Sequence, residues 1–347
     1  MLNGTYKTSE YKTFTIYEPK ERLIAALPYF PDRIGQHAIL NILEPIWVKQ
    51  FVSCTYACIK GRGIHGAYRG VKKSLQDIEG TKYCLKIDIK KCYASLDHNI
   101  LKQTIRKKIK DPKVLIILDE IIDSWEQGVP IGNYLSQFFN NLYFSDFDHF
   151  VKEVLRVKHY HRYADDMLFF SANKEELHNV LNEVIPYMSM LHVELKPNYS
   201  IFPVENGVDF VGYVFRHDYV LLRNSIKKEI IKLLFRYINH KISKKNTRKS
   251  LASYFGWLKY CNSKHFLYKI ETTSGLIYKA WIGEKTTFSK CKHCVNCITL
   301  DIRSRYTLIF CIYNKHSKIL QTCSKNLKEN LKRRLLKCKK QELQMNR

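Results

Sequence analysis

Three aspartates carry the chemistry that this sequence could do. Asp165 and Asp166 are adjacent at the centre of HRYADDMLFF, residues 161–170, and Asp88 sits in KIDIKKCY, residues 86–93. Neighbouring carboxylates at a tight turn repel each other unless a cation holds them. Taken alone, Ala-Asp-Asp also reads as a solvated acidic turn, because Asp is a common turn former. A third carboxylate changes that reading. Three together can hold two divalent ions about 3.5–4 Å apart, an arrangement that activates an attacking hydroxyl and stabilises a pyrophosphate leaving group in in-line phosphoryl transfer. Hard oxygen ligands favour Mg²⁺, with Mn²⁺ as the alternative.

Particular elements must bring these acids together. The runs VKHYHR and MLFFSA flank Tyr163-Ala164-Asp165-Asp166, which predicts a β-hairpin with the acids at its tip. Leu85, Ile87 and Ile89 alternate with Lys86 and Asp88, so a strand there places Asp88 opposite the apolar side. Pairing of this strand with the hairpin in one antiparallel sheet would gather all three carboxylates at one edge.

The remaining chain supplies further candidates. Residues 13–47 predict a strand, a turn at EPKER carrying Lys20 and Arg22, a second strand, and a helix from about Asp32 with Asp32 as its cap. Residues 61–70 hold four glycines among Lys60, Arg62 and Arg69, a composition suited to offering backbone amides to a nucleic-acid backbone. No GK[ST] follows, so this is not a Walker loop. Residues 99–126 read as helical. After a glycine-proline-glycine loop, one long amphipathic helix is expected from about Asn133, with Leu135, Phe138, Phe139, Leu142, Phe147 and Phe150 on its core face and Ile131, Gly132, Ser136 and Gln137 at its start. A further helix, KEELHNVLNEVIPYMSML, and strand-like runs in VELKPNYSIF and GVDFVGYVFRHDYVLL follow. From about residue 225 to 281 the pattern is helical and basic. Tyr254, Phe255, Trp257 and Tyr260 interleave there with Lys259, a mixture that suits a nucleic-acid groove.

Charge narrows the partner. Lys and Arg number 58 against 32 Asp and Glu in 347 residues, a formal net charge of +26. Such a field fits a protein that neutralises phosphates, and an enzyme of small metabolites seldom needs it. No apolar run follows a basic start, and the most apolar stretch, VLIILDEII, contains Asp119 and Glu120, so neither a secretory signal nor a membrane span is expected and the predicted location is cytoplasmic. The 11 cysteines are an odd, scattered set, fitting reduced thiols better than a disulfide framework. Three of them, Cys291, Cys294 and Cys297, form two CxxC steps sharing Cys294 in the basic C-terminal segment. A zinc site usually offers two separated pairs, so Zn²⁺ is not expected.

In order and spacing these motifs resemble the reverse transcriptases over roughly residues 11–282. The resemblance implies an α+β right-hand polymerase with fingers, an antiparallel-sheet palm and a helical thumb. It implies fingers from 1–80 with 99–125, palm from 81–98 and 126–224, thumb from 225–282, and a small basic cysteine-containing extension at 283–347. It makes Asp88, Asp165 and Asp166 the metal-binding catalytic acids and Tyr93 the aromatic gate against a ribose 2′-hydroxyl. Lys20, Arg22, Ile131, Gly132 and Gln137 become nucleotide-binding residues, and Tyr163, Gly212, Tyr213 and Trp257 primer or template contacts. Many relatives carry a lysine that protonates pyrophosphate in a pattern like LNPKKT; LKPNYS puts Asn198 there, which leaves Lys196 as the candidate general acid. The motif Ile131-Gly132-Asn133-Tyr134-Leu135-Ser136-Gln137 replaces the common Gln-Gly-x-x-x-Ser-Pro and resembles the reverse transcriptases of diversity-generating retroelements. That group implies error-prone copying of a template RNA at adenines, with a small basic helical accessory protein as partner. The alternatives are a retron or group II intron-type polymerase, and a catalytically silent RNA-binding protein on the same scaffold.

Overall fold

The computed structural model describes residues 6–17 and 21–274. Lys20 and the segment with Cys291, Cys294 and Cys297 lie outside the described residues. Contacts divide the chain into two compact units, Met1–Leu221 and a second beginning at Leu222.

The first unit opens with an antiparallel pair, β1 (Lys12–Ile16) and β2 (Arg22–Ala26), then α1 (Ile34–Val48) and α2 (Gly63–Ser74). Asp32 does not cap α1. It is fully buried and accepts hydrogen bonds from the Tyr6 hydroxyl at 2.7 Å and the Ser9 amide at 3.2 Å, so it anchors the N-terminal segment instead. The glycine-rich stretch is helical from Gly63, with the Gly63 amide donating to the Tyr56 carbonyl at 3.0 Å and the Gly66 amide to the Arg62 carbonyl at 2.7 Å. Gly70 is required for packing: a Cβ there would stand 2.0 Å from the Tyr56 hydroxyl oxygen.

Next come β3 (Tyr83–Asp88), α3 (His98–Arg106) and α4 (Pro112–Asp123). Asp97 and Asp111 cap α3 and α4 by accepting from amides of the first turn. The predicted long helix is broken into α5 (Ser136–Tyr143) and α6 (Ser145–His149), with a wider turn over Phe150–Val154. It is also not amphipathic at its start, since every residue of α5 except Gln137 is buried. A helix enclosed on all sides leaves no polar face to be read from sequence.

The hairpin follows as β4 (His159–Tyr163) and β5 (Asp166–Ser171), then α7 (Lys174–Met190) and β6 (Ser200–Pro203). These strands and β3 form one antiparallel sheet in the order β4-β5-β3-β6. Leu85 and Ile87 of β3 are fully buried whereas Lys86 and Asp88 are half-buried, the alternation expected of a strand with one face open there, while Cys84 on the Lys86 side is covered as well. Three short strands, β7 (Val208–Phe210), β8 (Tyr213–Phe215) and β9 (Val220–Leu222), make a second sheet. The second unit contains α8 (Asn224–Ile238), α9 (Lys244–Leu258) and α10 (Lys264–Ser274), with α9 and α10 both packed on α8.

Candidate active site

The carboxylates are brought together by strand register. Asp88, the last residue of β3, is the Cα partner of Asp166, the first residue of β5, and Asp166 is in turn the partner of Tyr163 at the end of β4. Ala164 and Asp165 form the two-residue turn between them, with Ala164 at φ 54°. That left-handed conformation is unusual for a side chain other than glycine and costs on the order of 1 kcal/mol, so the surroundings must enforce it. Two hydrogen bonds do so: the Ile89 amide donates to the Asp165 carbonyl at 3.2 Å, and the Arg162 guanidinium donates to the Ala164 carbonyl at 3.2 Å.

Arg162 is itself fixed from beneath. It and Asp148 of α6 are fully buried and form a two-pronged pair, Nε to Oδ1 at 2.7 Å and Nη2 to Oδ2 at 2.6 Å. The hydroxyls of Tyr160 and Thr55 each donate to Asp148 at 2.7 Å, so the carboxylate is saturated. A buried pair is stable only when its remaining valences are met in this way.

Two lysines neutralise the acids. The segment after α7 runs beside the end of β3, with the Lys196 amide donating to the Asp88 carbonyl at 2.8 Å, and this places Lys196 Nζ 2.6 Å from Asp88 Oδ1. Lys86 Nζ lies 3.3 Å from Asp166 Oδ2. Burial raises the affinity of Asp165 for a proton and the Asp88 charge adds to it, against the pull of Lys196 and Arg22. Asp166 is pushed up to about 6 by burial, with Lys86 as the main opposing influence. Asp166 Oδ1 is buried and accepts no hydrogen bond, whereas Asp88 Oδ1 is buried with the Lys196 ion pair as its contact. Among the described residues no three His, Cys, Asp or Glu side chains already converge on one point. The acids therefore share an edge without being drawn into a cluster. Their carboxylate oxygens are hard donors, and the partnerless Asp166 Oδ1 among them fits a divalent cation of the Mg²⁺ class.

The other predicted residues lie on several separate elements. Arg22 begins β2 and is exposed, with its charge acting on Asp165. Tyr93 lies in the tight turn Cys92–Ser95; its carbonyl accepts from the Val129 amide at 2.8 Å, and burial raises its hydroxyl, with Cys58, Cys92, Asp165 and Tyr163 adding to the shift. Tyr163 is half-buried and its hydroxyl is raised by burial and then by Cys58. Ile131 is exposed at 36%, and its carbonyl accepts from the Ala25 amide at 2.8 Å, tying this loop to β2. Gly132, at φ 118°, approaches the Ala25 carbonyl so closely that a Cβ would stand 2.6 Å from its oxygen. Gln137 is the exposed residue of α5, whereas Ser136 is buried and its hydroxyl has no partner. Gly212 occupies the β7–β8 turn at φ 87°. The Tyr213 ring is fully buried, edge-on to Tyr68 with centroids 5.1 Å apart. Trp257 lies on α9 in the second unit and is half-buried, while its neighbour Phe255 is core.

Sequence reasoning missed three residues that shape the site. Lys86 was visible as the polar partner of Asp88 in the strand alternation. Arg162 immediately precedes the hairpin tip, but a charged residue there reads as exposed. Asp148 carried no sequence signal, being separated from Arg162 by a helix end and a turn.

A family model described as Reverse transcriptase (RNA-dependent DNA polymerase) matches residues 12–215. Protein YkfC of Escherichia coli (strain K12) is 28% identical over 166 residues, covering 44% of this chain and 44% of that protein. The group II intron-encoded protein LtrA of Lactococcus lactis subsp. cremoris is 26% identical over 208 residues, covering 56% of this chain and 34% of LtrA. The chain thus spans less than half the length of these two relatives. Among solved structures, apo telomerase from Candida Tropicalis truncated from its C-terminal domain superposes with a TM-score of 0.51 at 16% identity, covering 63% of this chain and 56% of that one. Candida Tropicalis telomerase in complex with a TWJ fragment of telomeric RNA gives 0.51 at 13% identity, covering 76% and 55%. These similarities and the mixed helical and antiparallel-sheet architecture make the fold that of a right-hand polymerase.

Proposed function

Because the chain belongs to the reverse transcriptase family, we propose that it is an RNA-directed DNA polymerase that extends a primer along a template RNA. The observation that carries this reading is the Asp88–Asp166 register with Asp165 in the adjoining turn. Asp88, Asp165 and Asp166 would hold the divalent ions, which when bound lower the pKa of the primer 3′-hydroxyl and stabilise the departing pyrophosphate.

The chain's own residues divide the remaining work. Arg22, with Lys20, pairs with the triphosphate of the incoming deoxynucleotide. The Tyr93 ring occupies the place of a ribose 2′-hydroxyl. The 3′-oxygen, its proton released to solvent, bonds to the α-phosphorus as the bond from that phosphorus to the oxygen bridging to the β-phosphate breaks, and Lys196 Nζ gives its proton to the pyrophosphate. Its ammonium lies 2.6 Å from Asp88, beside the acids. Gln137, Tyr163, Gly212, the main chain of Tyr213, and Trp257 contact nucleotide, primer or template. The palm comprises 81–98 and 126–224, with fingers from 1–80 and 99–125, a thumb from 225 to 282, and a basic extension beyond.

A finer reading rests on Ile131. An aliphatic side chain where most bacterial relatives carry glutamine removes a polar contact beside nucleotide and template base, which weakens discrimination. This favours the diversity-generating type, error-prone at template adenines and working with a small basic helical partner. The similarity to LtrA favours the alternative, a group II intron type. Among the described residues no helix is long and apolar enough to cross a membrane. Primer extension by the purified full chain on an RNA template tests the activity, and sequencing of the cDNA tests the type.

A further inference from the structure

The face of the central sheet that bears Asp88 also bears Lys86, two residues earlier on β3. Its ammonium makes two contacts that join separate parts of the site. One is to the Asp166 carboxylate, 3.3 Å from Nζ to Oδ2. The other is a hydrogen bond donated to the main-chain carbonyl of Asp209, in β7. Asp209 immediately precedes residues 210–213, the tight turn in which Val211 (φ 42°) and Gly212 (φ 87°) both take left-handed conformations. That turn belongs to the three-stranded sheet, which is distinct from the four-stranded sheet holding the carboxylates. Lys86 therefore connects a metal-binding acid on one sheet with the hairpin of another.

We propose that Lys86 is a positioning residue, a tether that fixes the β7–β8 hairpin relative to Asp166 and so sets where the primer 3′ end lies against the carboxylates. This rests on the polymerase reading above. Asp166 Oδ1 is buried and accepts no hydrogen bond, so the carboxylate's orientation depends on what holds Oδ2. Two carbonyls or carboxylates held by one ammonium stay within two hydrogen-bond lengths of each other. A lysine side chain that is 27% exposed keeps part of its hydration, so the tether does not carry the full penalty of a completely buried charge. A methionine would keep the aliphatic stem and remove the bridge. An arginine would keep two donors in a fork and could span the same acceptors.

The test compares wild type, Lys86→Met and Lys86→Arg as full chains. With saturating nucleotide on a primed RNA template, Lys86→Met should extend about 10–100-fold more slowly, as expected when a reacting group is misplaced by about 1 Å. The KM for nucleotide should be unchanged, and Lys86→Arg should recover most of the rate. Hydrogen exchange at the amides of residues 208–215 should be faster in Lys86→Met and near wild type in Lys86→Arg. A merely structural lysine would not give this split between kcat and nucleotide KM. Wild-type kcat in Lys86→Met, or unchanged exchange in the hairpin, overturns the tether while leaving the polymerase reading intact. An inactive wild type overturns the polymerase reading and with it the catalytic role of the tether.

Discussion

Arg162 and Asp148 meet in a buried two-pronged ion pair directly beneath the turn that carries Asp165, and the third reach of the guanidinium ends on the Ala164 carbonyl of that turn. The acidic tip is thus held from inside the protein, by a charge pair that the solvent does not touch. A left-handed alanine between Tyr163 and Asp165 is maintained by this pair together with the Ile89 amide on the Asp165 carbonyl.

Removing the guanidinium leaves Asp148 buried without its counter-charge. Arg162→Met should therefore destabilise the first unit by about 3–5 kcal/mol, the usual consequence of breaking one side of a buried pair. Denaturant unfolding measures this. A loss below about 1 kcal/mol, the range of surface pairs, would mean that the pair is not what holds the turn.

His161 should make stability depend on pH. It is buried between the Tyr56 hydroxyl at Nδ1, 2.9 Å, and the Ser74 hydroxyl at Nε2, 2.8 Å. Burial, with nearby His159 and Lys152, lowers its pKa from 6.5 to about 3. The unfolded chain then binds the proton more readily than the folded one between those values. This contribution to stability is complete above about pH 6.5 and is lost as pH falls towards about 3. His161→Gln should flatten that slope relative to wild type in melts taken across this window. An identical slope in both proteins would show that other groups govern it.

Gly70→Ala tests the same contact from α2. Its Cβ would overlap the Tyr56 hydroxyl oxygen, so Tyr56 must leave His161 or the helix must shift. Overpacking of this kind costs about 1–3 kcal/mol. A variant as stable as wild type would show that the glycine is dispensable for packing against Tyr56.

The acids were readable because residue type and local alternation coincide: Leu85, Ile87 and Ile89 alternate with Lys86 and Asp88, and two aspartates between strand-forming runs point to a hairpin tip. The register between Asp88 and Asp166 was not written locally, since pairing partners lie 78 positions apart (166 − 88) and are selected by burial of the shared face. Helix periodicity failed at α5 and α6 for a physical reason. Residues enclosed on every side show no polar stripe, so the break at Phe144 was invisible. The glycines of α2 were legible as special positions, but composition alone does not distinguish close packing against Tyr56 from a phosphate cradle. Lys196 could be picked as a candidate from its motif, whereas its contact with Asp88 depends on the segment after α7 joining the edge of β3.

Ile131 bears on fidelity. Ile131→Gln should restore a polar contact beside the nucleotide and lower the error rate opposite template adenine by up to about tenfold, the effect of one net hydrogen bond. Sequencing of cDNA from both proteins on one template measures it. Equal error spectra would remove Ile131 from the account and weigh against the diversity-generating type.

The central claim is that Asp88, Asp165 and Asp166 act as one metal-dependent centre. It is tested most directly by primer extension on an RNA template in Mg²⁺, comparing wild type with Asp165→Ala and with RNA binding recorded for both. The expected result is extension by wild type, none by the variant, and closely similar RNA binding. Undiminished cDNA synthesis by Asp165→Ala would contradict it.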